Sequence, residues 1–257
     1  MPERSRILVS NDDGYRADGL AALVEVLQDL GEVWVVAPES EQSATSHSIS
    51  LTRPLRLREV RPRWYAVDGT PTDSSWLGIN HVLQGRPPRI VVSGINHGPN
   101  LADDVIYSGT VAAAMEAAII GVPSIAISLA TRQDFDFGPA ARFSRALVET
   151  ALAEPLPPNM LLNVNVPSGE PDGYVVSRQG KHSYGGGVVE KTDPRGRKYY
   201  WIGGNEYQHE DIPGSDCNAV LREGRVAVTP ITLDFTDYAM RSRIDGWTLG
   251  GFTRHDA

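Results

Sequence analysis

Short runs of valine, isoleucine and leucine alternate, along the first two thirds of this chain, with longer segments whose apolar residues recur every three or four positions. RILVS, residues 6–10, reads as a buried strand. In the following ADGLAALVEVLQDLG, Leu20, Leu23, Val24, Leu27 and Leu30 share one helical face, and Gly31 supplies a stop. EVWVVAP is a second strand, ESEQSATSHS a polar loop, and LRLREV with WYAVDG a hairpin. TPTDSSWLGINHVL predicts a helix opened at Thr70 or Pro71. RIVVSGIN, SIAISLA and MLLNVNVP then read as strands, separated by helices over SGTVAAAMEAAIIG and GPAARFSRALVETAL. Strands apolar on both sides, alternating with amphipathic helices, predict an α/β fold: a mostly parallel sheet with helices on both faces.

After Pro167 the texture changes to glycine, aromatics and turn formers, with RKYYWIGG and GRVAVTP as the clearest strands. The expected organisation is a core over 1–167 and a β-rich extension over 168–257, continuous with it as one domain, with hairpins added to the sheet. The tail from Ile231 onward has little to bury by itself, so it is expected to pack elsewhere on the chain or on a second subunit.

Composition narrows the classes. With 257 residues the chain can bury a full core without staples, and its formal charge of −8 argues against gripping a nucleic-acid duplex. One cysteine, Cys217, allows no internal disulfide and no Cys-rich zinc site. The start MPERSRILVS lacks the apolar segment of a signal peptide, and no run is long enough to span a bilayer, so a cytoplasmic, membrane-free protein is expected.

In an open α/β sheet, ligands bind beyond the carboxyl ends of the strands. Four loops leave that edge. SNDDG places Asp12 and Asp13 side by side; adjacent acids resist ionisation in a dry crevice unless a cation or donors compensate, and hard oxygen donors suit Mg²⁺, Mn²⁺ or Ca²⁺. Alone, DDG fits a solvated Asx turn equally well. ESEQSATSHS carries Ser43 among its hydroxyls. SGINHGPN offers the amides of Asn96 and Asn100, with His97 read as an ordinary loop histidine. YSGT sets Ser108, Gly109 and Thr110 at a helix start, where free N–H groups and the helix dipole favour an anion; by itself it equally fits a plain N-cap. Asn11 and Asn100 are further candidate donors to a phosphate.

Taken in order, ILVSNDDG, VVAPESEQSATSHSIS, VDGTPTDS, VVSGINHGPN, YSGTVAAAMEA, PSIAIS, LLNVNVP and REGRVAVTPI closely resemble the SurE family of stationary-phase survival proteins, metal-dependent nucleoside monophosphate phosphatases. The resemblance implies a Rossmann-like core and a C-terminal extension exchanged across a homodimer, dimer against tetramer being open. It implies one divalent ion per subunit, Mg²⁺ or Mn²⁺, on Asp12, Asp13, Ser43 and Asn96. Asp12 and Asp13 would be catalytic in hydrolysing nucleoside 5′- and 3′-monophosphates, and short polyphosphate stays open as a further substrate. Three rivals fit worse. A haloacid-dehalogenase-like phosphatase needs acid, any residue, acid after the first strand; a signalling receiver needs an acceptor aspartate on a central strand; a dinucleotide module needs GxGxxG.

Overall fold

The strands' burial explains the layering. In the computed structural model, which describes residues 4–184, 187–202, 207–250 and 253, the chain runs β1 (Arg6–Ser10), α1 (Asp18–Leu27), β2 (Glu32–Pro38), β3 (Leu57–Arg61), β4 (Trp64–Val67), α2 (Pro71–Leu77), β5 (Ile90–His97), α3 (Gly109–Ile120), β6 (Ser124–Ala130), α4 (Gly138–Ala153) and β7 (Met160–Pro167). Then follow β8 (Tyr174–Val176), β9 (His182–Tyr184), β10 (Val188–Thr192), β11 (Lys198–Ile202), β12 (Tyr207–His209), α5 (Asp216–Leu221), β13 (Val226–Thr232) and α6 (Tyr238–Ile244). On β1, Ile7 and Val9 pack with one cluster and Leu8 with the other, and all three are fully buried. Both faces therefore need cover. The apolar stripes of α1 and α4 supply it on the Ile7 side, and α2 and the end of α3 on the Leu8 side.

The nine-stranded sheet has the order β3-β4-β2-β1-β5-β6-β7-β13-β8. From β4 to β7 all neighbours are parallel; β3 pairs antiparallel with β4, as the LRLREV and WYAVDG pattern predicted, and β13 antiparallel with β7. The chain moves outward from β1 to β2 and β4, then returns to the other side of β1 as β5. That reversal is the topological switch point, so a crevice opens between the carboxyl ends of β1 and β5.

Three expectations need correction. Gly31 does not stop α1, which already ends at Leu27; a Cβ at Gly31 would stand 2.5 Å from the Ser5 carbonyl oxygen, so this glycine serves a close approach. The helix expected over 70–83 is α-helical only through Leu77 and then makes one π turn over Gly78–Val82, where a Gly78 Cβ would meet Leu8 at 2.8 Å. Thr70 does open it, with Asp73 completing a capping box. The hairpins do not extend the sheet: β10 pairs with β11 and β9 with β12 as separate ribbons, while β13 and β8 lengthen the sheet. The strand expected over 197–204 is seen as β11; its positions 203 and 204 lie outside the described residues, as do 251, 252 and 254–257 of the tail.

Glycine also sets how closely α1 approaches the switch point. A Cβ at Gly19 would lie 2.1 Å from the Ile95 carbonyl oxygen of β5, a backbone atom that cannot swing aside. Gly19→Ala is expected to cost about 2 kcal/mol or more, measured by urea unfolding. Gly85→Ala, in open space with φ at 81°, serves as the comparison and should cost about 1 kcal/mol. Equal midpoints for the two variants would show that α1 is not seated on β5 in this way.

Candidate active site at the switch point

β1 delivers Asp12 and Asp13 to the crevice, and their surroundings differ. Asp12 is only 6% exposed and accepts a hydrogen bond from the Thr110 hydroxyl. A Cβ at Gly109 would stand 2.7 Å from Asp12 Cβ, so glycine is what lets the start of α3 press against this acid. Asp13 is more open and accepts from the His97 backbone N–H at 3.3 Å. Burial pushes each carboxyl from 3.8 up to about 6; the neighbouring Asp13 charge raises Asp12 further and Glu41 raises Asp13, against the lowering by these hydrogen bonds.

β5 turns its last residues into the crevice by a local irregularity. Its register against β6 shifts between Ser93 and Asn96, where Gly94 has φ of 135° and a Cβ would meet the Ile127 carbonyl oxygen at 2.3 Å. Asn96 then donates its amide N–H to the Gly98 carbonyl at 2.8 Å, which leaves its side-chain oxygen as the group presented to a ligand. His97 packs against the Phe135 and Phe137 rings, and its Nδ1 lies 3.5 Å from Asp13 Oδ1. Burial lowers the imidazole's pKa, so it meets Asp13 as a neutral ring rather than as an ion-pair partner.

The polar loop after β2 is tied across the crevice mouth. Gln42 N–H donates to the Asp12 carbonyl at 2.8 Å, Ser46 N–H to the Tyr107 carbonyl at 3.1 Å, and His47 Nε2 meets the buried Glu116 carboxylate at 2.8 Å. Ser43 sits in the span between these ties and donates its hydroxyl to Glu41 at 2.7 Å.

The resulting crevice, of about 410 Å³, is lined by Asp12, Asp13, Ser43, Asn96, Asn100 and Ser108 among others. Sequence reasoning placed those six here, and the fold brings them together. Asn11, Gly109 and Thr110 are not on its lining. Asn11 is fully buried and spends its amide N–H on the Gly14 carbonyl, shaping the turn. Thr110 is equally buried, and its hydroxyl aims Asp12. Asn100 is held by Asn163, Asn165 and Ser128, and Ser108 accepts from Val111 N–H as the N-cap of α3. Glu41, Asp104 and Arg132 also line the crevice and were not singled out, and His97, read as an ordinary loop histidine, lines it too. Glu41 and His97 lie inside the quoted loops and Asp104 just beyond one, so only their orientation was hidden. His182 of β9 lies 3.3 Å from Asp104, which links the extension to the crevice wall.

Among the described residues no three His, Cys, Asp or Glu side chains converge as a metal cluster. What converges is two carboxylates, an amide oxygen and a hydroxyl, a hard-oxygen set suited to a cation such as Mg²⁺ or Mn²⁺ and poorly suited to zinc. Comparison with known proteins places this crevice in a family. The model of survival protein SurE matches residues 7–186. The chain belongs to the SurE family. Similar SurE proteins include the 5'-nucleotidase SurE of Myxococcus xanthus, 66% identical over 98% of this chain and 96% of that one. Another, from Anaeromyxobacter dehalogenans, is 60% identical over 98% and 99%. The crystal structure of SurE protein from Aquifex aeolicus superposes with a TM-score of 0.85 at 42% identity, covering 93% of this chain and 98% of that one. The Rossmann-like core that the resemblance implies is what the parallel strands around β1 form.

Raised carboxyl pKa values have a consequence for the metal-free protein. Both acids favour the protonated folded state, so their contribution to stability is full below about pH 3.8 and is lost as pH rises through about 6. Asp12→Asn, in EDTA, is expected to raise stability at pH 7.5 by up to about 3 kcal/mol relative to wild type, and to make little difference at pH 3.5. Urea unfolding at both pH values measures this; a variant less stable than wild type at pH 7.5 would show that Asp12 is not strained by burial.

Proposed function

We propose that this chain is a 5′-nucleotidase that depends on one divalent cation per subunit, Mg²⁺ or Mn²⁺, and hydrolyses nucleoside 5′-monophosphates to nucleoside and phosphate. The observation that carries the reading is the desolvated Asp12–Asp13 pair on the wall of a crevice at the switch point, facing two further oxygen donors. SurE relatives named 5'-nucleotidase, at 50–66% identity over nearly the whole chain, support the substrate class. In this reading 3′-monophosphates are also substrates.

Asp12, Asp13, Ser43 and Asn96 are the residues that would hold the ion. When bound, the ion would polarise the phosphoryl oxygens and offset developing negative charge. The chain's own groups do the rest. Thr110 and the His97 N–H fix the two carboxylates. The hydroxyl of Ser108 donates to a phosphate oxygen, with Asn100 on the same wall. Water's oxygen bonds to phosphorus as the ester P–O bond breaks. Asp13, the more open acid, takes the water's proton, and the leaving nucleoside oxygen takes one from solvent water.

The assembly we infer is a homodimer in the cytoplasm, joined through the C-terminal tail. α6 buries none of its residues within one chain, and Phe235, Tyr238 and Trp247 are exposed around it. Among the described residues no helix is long and apolar enough to cross a membrane.

Phosphate release from AMP and from 3′-AMP, with Mn²⁺ and then with EDTA, tests the reading. Mn²⁺-dependent release is expected from wild type and a loss of at least about a thousandfold in Asp13→Ala. Activity that survives EDTA or the substitution would overturn it. The His47–Glu116 contact makes a separate demand: His47→Ala should free the Ser43 loop and raise the Mn²⁺ concentration for half-maximal rate by about tenfold, with kcat largely kept. An unchanged Mn²⁺ requirement would show that the contact does not place Ser43.

A further inference from the structure

A second cavity, of about 520 Å³, lies between the start of α1 and the edge hairpin β3–β4, and it shares no lining residue with the crevice. Its walls carry Tyr15, Arg16, Arg58, Val60, Arg61 and Trp64. The volume falls in the range of small-molecule sites. Each arginine lies over an aromatic face: Arg16 at 4.7 Å from the Tyr15 ring centre, Arg58 at 5.9 Å from the same ring, and Arg61 at 3.7 Å from the Trp64 ring.

Their partners separate them. Arg58 is neutralised by Glu39 at 2.7 Å. Among the described residues, neither Arg16 nor Arg61 has an ion-pair or hydrogen-bond partner for its guanidinium, on a chain with 32 acidic and 24 basic residues. Elsewhere on the surface Arg142 and Arg222 do sit on carboxylates, each at 2.6 Å. Stacking holds a guanidinium in place while leaving the N–H groups in its plane available for an anion. Two such groups, already ordered, lose less freedom on binding than mobile side chains would. The net charge they offer is two, which matches a phosphate dianion or a diphosphate. Val60, Ala17 and Ala21 supply an apolar wall beside it.

We propose that this groove is a second nucleotide site, taking the phosphates of a nucleoside di- or triphosphate on Arg16 and Arg61 and its planar base against the apolar wall. The site goes beyond the hydrolytic crevice and does not require it. It does adjoin the same loop: Asp12 and Asp13 face the crevice while Tyr15 and Arg16 face the groove, so a bound nucleotide would press on the segment that carries the acids.

The test is calorimetric titration of the full chain with ADP, up to millimolar concentration and in EDTA so that no turnover occurs. ADP is expected to bind once per chain, about tenfold or more weaker in the Arg16→Gln/Arg61→Gln double variant, and unchanged in Asp12→Asn. Pyrophosphate should bind more weakly than ADP, and adenosine not measurably. Absence of ADP binding, equal affinity in the double variant, or loss of binding in Asp12→Asn would overturn the site. Pyrophosphate binding as tight as ADP would overturn its assignment to a nucleotide. Mn²⁺-dependent AMP hydrolysis, measured on the same double variant, separates the two readings: retained hydrolysis with weakened ADP binding supports a distinct groove, and loss of both overturns it. Wild type that binds ADP and hydrolyses nothing would count against the nucleotidase reading alone.

Discussion

Everything at the switch point is organised around the cost of keeping two adjacent carboxylates out of water. Asp12 and Asp13 come just after β1, whose neighbours on both sides bury its end, so Asp12 is held almost wholly and Asp13 partly out of solvent. Their raised pKa values record that cost. The compensating features come from elements distant in sequence: the Thr110 hydroxyl from α3, the His97 N–H from β5, and the Gln42 N–H that fixes the Asp12 backbone from the loop after β2. These bonds reduce the penalty without removing it. A site still strained towards protonation is one in which a divalent cation has the most to gain, since it compensates both charges at once.

Small residues make that convergence possible. Gly109 lets α3 touch Asp12, Gly94 lets β5 depart from its register beside β6, and Gly19 seats α1 on the β5 backbone. Each permits an approach that a methyl group would block. The glycines of this region are therefore part of the site's construction although none of their side chains can contribute chemistry.

Most of the architecture was legible in the sequence because it rests on period and composition. The apolar runs of β1, β2, β5, β6 and β7 survive as written, as does the leucine spacing of α1 through Leu27, with Leu30 beyond the helix's end, and the adjacent acids, Ser43 and Asn96 fall on one crevice. What was not legible depends on direction and distance. Gly31 looked like a helix stop because local sequence cannot show the Ser5 carbonyl opposite it. Thr110 and Asn11 looked like phosphate donors because a short polar residue at a loop edge has the same spelling whether it faces the ligand or buttresses the residue that does. The β10–β11 ribbon has strand composition, yet nothing in its residues states which sheet, if any, it joins.

The loop between β1 and α1 faces two different environments within a few residues. Its first half is anionic and nearly dry; its second half presents Tyr15 and Arg16 to an open, cationic groove. Gly14, with φ of 98° and its Cβ position 3.3 Å from the Ser40 backbone, is the point where the chain changes direction between them. Opposite fields held apart by one turn suit two anions of different fates. On the acidic side an anion would need a cation to bridge it, whereas on the arginine side it would not. On the two proposals above, ion-dependent hydrolysis would be confined to the first side, and a phosphate on the second would be kept away from the paired acids.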